Sequence, residues 1–181
     1  VVNLPFNFCF FGNSFNKCIV GSNGHLTFNS GLAGGTDDYS ITTTIPSTTD
    51  MPGNTINAVF RDIDPSGGAP AKVAYYLTGV APCRALVVYW TSLPLFNRLF
   101  GNCDTKPLQT FQLVLYENTN FIDVYVDQSD SCTDWNGGYG IIGIQNATGT
   151  VAVVPPGRNY PSTWSSTGEA WRFTPTGAPS Y

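Results

Sequence analysis

Leu4, Phe6, Phe8 and Phe10 recur at every second position, so all four fall on one face of an extended strand. Pro5 interrupts the polar face of this run and predicts a sheet edge or a strand start, because proline cannot donate to a ladder. Residues 17–21 and 25–28 flank Ser22-Asn23-Gly24, and Asn-Gly is the strongest short hairpin signal. Residues 30–54 carry Gly, Thr, Asp and Pro without periodicity and predict a long irregular loop, a kind of segment that is often functional. Strand patterns follow at 56–63, 71–78, 84–92, 110–117, 121–127, 139–145, 150–154 and 169–174. Gly79-Val80-Ala81-Pro82, Asn118-Thr119-Asn120 and Asn146-Ala147-Thr148-Gly149 join three pairs of them, and 93–106 forms a second irregular loop.

About ten or eleven short strands with a turn every 8–12 residues predict an all-β fold, an antiparallel β-sandwich of jelly-roll-like form. No segment has the period of a long amphipathic helix. Residues 1–175 read as one β-sandwich domain, and 176–181 as a tail or the start of a linker.

Composition sharpens this picture. Charged residues are only 11% of the chain, against roughly 25% in an average soluble domain. Thr, Ser, Asn and Gly must therefore cover the surface, as is common outside the cell. The net charge is −4 and the 8 Lys and Arg are scattered singly, so no basic stripe exists and nucleic acid is excluded as the main partner. No apolar run approaches about 18 residues, so no membrane-inserting helix is expected.

The five cysteines form no CxxC pair and no Cys/His cluster, which argues against a zinc site. If Asn13-Ser14 is a two-residue hairpin loop, Cys9 faces Cys18 at a non-hydrogen-bonded position, where Cα atoms approach to about 4.5 Å. That spacing allows a Cys9–Cys18 disulfide; two buried thiols are the alternative. Cys103 and Cys132 lie in polar, Gly- and Asn-containing loops and are a second candidate pair. Cys83 is then odd, either a buried thiol or the partner of a cysteine on another chain.

Asp62 and Asp64 share one face of a strand end within Arg61-Asp62-Ile63-Asp64-Pro65. With Asp37, Asp38 or Asp50 they could hold Ca²⁺, the one cofactor candidate; otherwise they form a strand-end turn. Asp123, Asp127, Asp130 and Asp134 are a second acidic group, with Asp123 and Asp127 on the wet face of a strand. Trp135, Tyr139, Tyr160 and Trp164 place aromatic rings in polar loops, which suits stacking on sugar rings or plugging of the sandwich ends. Trp90 and Trp171 lie in strand runs and read as core.

Catalysis lacks material. His25, the only histidine, directly follows the Asn23-Gly24 turn, and no GxSxG sequence is present. Glu117 and Glu169 are the only glutamates, and nothing in the sequence brings them together. No enzyme is expected. Asn146-Ala147-Thr148 is an N-glycosylation sequon, relevant where the producing cell has that machinery.

Residues 5–13 (PFNFCFFGN) and 19–28 (IVGSNGHLTF) resemble the opening of nidogen-like (NIDO) extracellular domains. The order continues with Asn57–Asp64, the Val-rich strand 86–90, the strand 110–117 (TFQLVLYE) and the Gly-rich 140–149 (GIIGIQNATG). With 155–159 (PPGRN) and 169–175 (EAWRFTP), the chain is similar to modules of large secreted proteins of Bacteroidetes. Such proteins often carry immunoglobulin-like repeats and a sorting domain of the type IX secretion system, in the manner of gliding adhesins. The resemblance implies a secreted or cell-surface, non-enzymatic module acting in adhesion or as a unit of a surface fibre. It implies no defined ligand residues. Its expected partners are surface glycans, other copies of itself, or neighbouring domains of a larger chain. The family pattern has residues before the first strand, so the chain reads as a fragment or as a subunit completed by another copy through an open sheet edge.

Overall fold

The computed structural model of the 181-residue chain describes residues 1–68, 70–96, 102–177 and 181. The expected loop 93–106 and tail 176–181 therefore lie partly outside the described residues. Eleven strands are present among the described residues: β1 (Val2–Phe10), β2 (Asn13–Val20), β3 (His25–Thr27), β4 (Thr55–Phe60), β5 (Lys72–Thr78), β6 (Ala85–Leu93), β7 (Gln109–Tyr116), β8 (Ile122–Ser129), β9 (Ile141–Gln145), β10 (Ala152–Val153) and β11 (Ser166–Phe173). They form a six-stranded sheet, β1-β2-β3-β4-β9-β10, and a five-stranded sheet, β11-β8-β7-β6-β5. Every pair is antiparallel, and the result is a two-sheet β-sandwich.

Alternation along β1 buries Val2, Leu4, Phe6, Phe8 and Phe10 and exposes the residues between them. Pro5 sits on this edge strand, where a missing N–H costs no ladder bond. Opposite β1 and its neighbours, β6 contributes Leu86, Val88 and Trp90, β7 contributes Phe111, Leu113 and Leu115, and β8 contributes Ile122, Val124 and Val126 to one core between the sheets. Trp90 stacks on Phe111 at 5.1 Å and donates its Nε1–H to Gly21 O, so the buried indole is satisfied. Trp171 is only partly buried against this core.

All six residues of β4 are buried, which one core cannot explain. The loop 30–54 supplies the second layer. Its Ile41, Ile45 and Met51 pack on Phe60 and Ile141, on the outer face of the six-stranded sheet. Polar ties hold it there: Gln145 accepts from Ser47 N and donates to Ser47 O and Pro52 O, while Asn159 exchanges two hydrogen bonds with the backbone of Ile45. The irregular segment is thus a packed cover over a sheet.

The expected Cys9–Cys18 disulfide is not formed. The β1–β2 turn is Phe11-Gly12, both at positive φ (45° and 78°), and the register pairs Cys9 with Ser14 and Val2 with Cys18. Glycine at the second turn position supplies the left-handed backbone that a tight hairpin needs. Cys9 consequently faces solvent and Cys18 faces the core. Burial pushes the Cys18 thiol up to about 12. Cys83 is an exposed thiol in the β5–β6 turn, so neither expected buried-thiol reading holds for Cys9 or Cys83.

The disulfide present is Cys103–Cys132, with Cα atoms 5.6 Å apart and a sequence separation of 29. It ties the β6–β7 connection to the β8–β9 connection. Closing a loop of that length stabilises the folded chain by about 3–4 kcal/mol in the chain-entropy account. Among the described residues, no helix is long and apolar enough to cross a membrane.

Candidate functional site

At one end of the sandwich the chain leaves β4 at Phe60 and continues as Arg61-Asp62-Ile63-Asp64. The backbone of Ile63 bridges to Leu95, which fixes this exit strand beside the β6–β7 connection. The β8–β9 connection, held by the disulfide, brings Trp135 and Asn136 to the same place. Trp135 Nε1 donates to Asp62 Oδ2 at 2.6 Å, and Asn136 Nδ2 donates to the same oxygen at 2.8 Å. Asn136 Nδ2 also reaches Tyr39 O, which brings in the loop 30–54.

These contacts frame a groove of about 770 Å³. Tyr39, Phe96 and Trp135 supply its aromatic surface, and Asp37, Asp62 and Asp64 supply its charge. Phe96 and Trp135 lie 5.9 Å apart at a tilt of 48°. Tyr39 and Phe96, 51% and 43% exposed, both line the groove beside Trp135. No Lys or Arg lines the groove among the described residues. Burial pushes the Asp62 carboxyl up to about 6, and neighbouring Asp64 adds to this, although the bonds from Trp135 and Asn136 oppose it.

Beneath the groove Arg61 is 2% exposed. It donates through Nη1 to Gly138 O at 3.0 Å and through Nη2 to Trp164 O, and its guanidinium lies 4.4 Å from the Trp164 ring centroid. Burial lowers its pKa to about 9, so it stays charged at neutral pH. Arg61 thereby pins the Trp135–Gly138 turn to the Trp164 segment. Gly140 is required beside it, because a Cβ there would stand 2.7 Å from the guanidinium carbon.

The sequence-predicted residues separate into three groups. Asp62 and Trp135, expected for different reasons, meet in one contact. Trp164 is 7% exposed, donates to Gly140 O and is covered by Arg61 and by Arg158, so it is a core residue and not a stacking platform. Tyr139 and Tyr160 meet edge to face at 4.7 Å and pack on the cluster beneath the loop 30–54, so they plug the fold.

The calcium set is not assembled. Asp62 is engaged as above, and Asp64 Oδ1 accepts from Ser66 N and Oγ in a strand-end turn. Among the described residues, no group of three or more His, Cys, Asp and Glu is placed to hold a metal. In the second acidic group, Asp123 is buried beneath a bidentate Arg172 at 2.7 Å and accepts from Tyr116 and Tyr125, against the expected wet face.

Glu117 and Glu169 are each clamped by a separate arginine, Arg84 and Arg158. His25 is buried with Nε2 3.2 Å from Asp37 Oδ1, while Ser22 Oγ donates to Asp37 Oδ2. The carboxylate thus stands between serine and imidazole, and the serine–base contact of a catalytic triad is absent from this trio.

Tyr39 and Phe96 were missed by sequence reasoning. Both stand in aperiodic stretches where no spacing marks a ring as exposed.

The family model described as NIDO related matches residues 1–176. The chain belongs to the NIDO-related family. No curated protein and no solved structure matches it. Membership of the NIDO-related family, together with the Cys103–Cys132 disulfide, suggests an extracellular module, because disulfides persist in oxidising compartments. In this NIDO-related chain the groove is built from three connections on a rigid two-sheet frame, the usual placement of a binding surface.

Proposed function

We propose that this chain is a non-enzymatic extracellular module that acts in adhesion and holds its ligand in the groove between Tyr39, Phe96 and Trp135. The observation that carries the reading is the Trp135–Asp62–Asn136 cluster. It holds exposed aromatic surface and a half-buried carboxyl side by side, with the disulfide and Arg61 fixing the walls. The absence of an enzyme role is part of the proposal. It is supported by the clamped glutamates and by the order of Ser22, Asp37 and His25. The resemblance to modules of secreted Bacteroidetes proteins supports a setting at a bacterial surface, within a larger adhesin-type chain.

The test is retention of protein-coated beads under shear on immobilised polysaccharides, immobilised proteins and intact cells. Beads carrying the wild type should be held on at least one of these surfaces. Beads carrying the double variant Tyr39→Ala/Phe96→Ala should be released. Equal retention of both would sink the reading.

A second reading rests on β5. This strand is the edge of the five-stranded sheet, and Tyr75, Tyr76 and Leu77 are exposed on it. Lys72 is its only charge, so it lacks the charged residues that usually block edge pairing. Assembly of copies through this edge would make the module a fibre unit. Light scattering at high concentration checks it: a monomer removes the reading, and oligomers abolished by Tyr76→Lys support it.

A further inference from the structure

The groove beside Trp135 carries more than an adhesive role; its chemistry selects a class of ligand. Asp62 Oδ2 is saturated by Trp135 and Asn136, but Asp62 Oδ1 has no hydrogen-bond partner among the described residues. Asn136 likewise spends its Nδ2 on Asp62 and Tyr39, and its Oδ1 is unmatched among the described residues. The groove therefore offers acceptors to a ligand that brings donors. A carboxylate accepting from a hydroxyl makes a charge-assisted bond, stronger than a neutral one.

The aromatic surface supplies the other half. Phe96 and Trp135 form a tilted pair, and Tyr39 stands on the loop side. A sugar ring has one face of C–H bonds for such a surface and a rim of hydroxyls for the acceptors. A volume of about 770 Å³ has room for more than one ring. A chain net charge of −4, three lining aspartates and no lining Lys or Arg among the described residues oppose any ligand with carboxylate or sulfate groups.

We infer that the groove is a carbohydrate subsite for glycans without acidic groups, with Phe96, Trp135 and Tyr39 as the stacking surface and Asp62 and Asn136 as acceptors for sugar hydroxyls. This rests on the reading that the groove is the ligand face. A cationic peptide side chain also suits rings beside carboxylates. The breadth of the groove and its unmatched acceptors favour the sugar.

The experiment is isothermal titration of the full chain with three sets of probes. The first is neutral: maltohexaose, mannopentaose and N-acetylchitohexaose. The second is acidic: sialyllactose, oligogalacturonate and a sulfated hexasaccharide. The third is oligolysine. At least one neutral glycan should bind, and no acidic one should bind comparably. Phe96→Ala and Tyr39→Ala, both at exposed rings, should each weaken binding about tenfold. Asp62→Asn keeps an acceptor and should admit acidic glycans at least about tenfold better than the wild type does. Circular dichroism and a thermal melt confirm that each variant is folded. Absence of neutral-glycan binding overturns the inference, as does equal binding of acidic glycans, preference for oligolysine, or indifference to both aromatic substitutions. Lost bead retention in the double variant without any glycan binding overturns this inference alone. Glycan binding with unchanged bead retention overturns the adhesive role of the groove and leaves the sugar site standing.

Discussion

Trp135 Nε1 lies 2.6 Å from Asp62 Oδ2 although the two are 73 positions apart in the chain. The bond joins the exit of β4 to the turn that follows β8, and it sets the wall of the groove. Trp135→Phe keeps the ring and removes the donor. This variant should lose about 1.5 kcal/mol in urea unfolding, since a hydrogen bond to a half-exposed charged group contributes at the low end of its range. The Asp62 carboxyl should titrate still higher by NMR, because the lost bond opposes the upward push of burial. An unchanged Asp62 titration would mean that the indole does not hold that oxygen.

Asp62 and His25 give opposite pH dependences. The Asp62 carboxyl is raised to about 6 by burial, against roughly 4 in an unfolded chain. Its contribution to stability is full below about 4 and is lost as pH rises through about 6. Asp62→Asn should therefore gain stability relative to wild type at pH 7 compared with pH 4. Burial holds His25 below its ordinary value, with Asp37 and Asp38 opposing. Its contribution is full above about 6.5 and is lost as pH falls through the lowered value. The cost of His25→Gln should accordingly be larger at pH 7.5 than at pH 5. Melting temperatures across pH 4–8 for the two variants separate the effects.

Thiol labelling reads the cysteine arrangement directly. Without reductant, the native chain should react at Cys9 and Cys83, and the denatured chain at Cys18 as well. Cys103 and Cys132 should label only after reduction. Their joint replacement by Ala should cost about 3–4 kcal/mol. Protection of Cys9 in the denatured, unreduced chain would contradict the β1–β2 register.

Arg61 is a buried charge whose partners are mainly carbonyls and an aromatic face. Arg61→Ala leaves the Trp164 carbonyl without its guanidinium donor, leaves Gly138 O with Ser131 Oγ alone, and opens a void under the groove. The expected loss is about 3–5 kcal/mol in urea unfolding. A loss within the scatter of surface substitutions would show that Arg61 does not pin the two connections.

The fold was legible wherever one face alone is buried. The alternation of Leu4, Phe6, Phe8 and Phe10 specified both the strand and its inward face, and Pro5 marked its edge position. Legibility failed where a single residue sets register. Asn13-Ser14 has better turn chemistry than Phe11, yet Gly12 decides the hairpin and carries Phe11 into positive φ with it. The loop 30–54 showed no period because its apolar residues, Ile41, Ile45 and Met51, are spaced to meet a sheet face and not to form one. Asp62 and Trp135 were both visible as candidates, whereas their contact was not, since it depends on the Ile63–Leu95 bridge and on a disulfide spanning 29 residues. Trp164 misled for a related reason. Its polar neighbours suggest exposure, but Arg61 and Arg158 cover its ring.

Binding in the groove is read by following the indole N–H resonances of the four tryptophans during titration with the surface ligand that retains the beads. Trp135→Phe assigns the Trp135 signal. Trp135 should show a saturable shift, with the buried indoles of Trp90 and Trp164 unmoved. A bound ligand that leaves Trp135 unmoved would contradict binding in the groove.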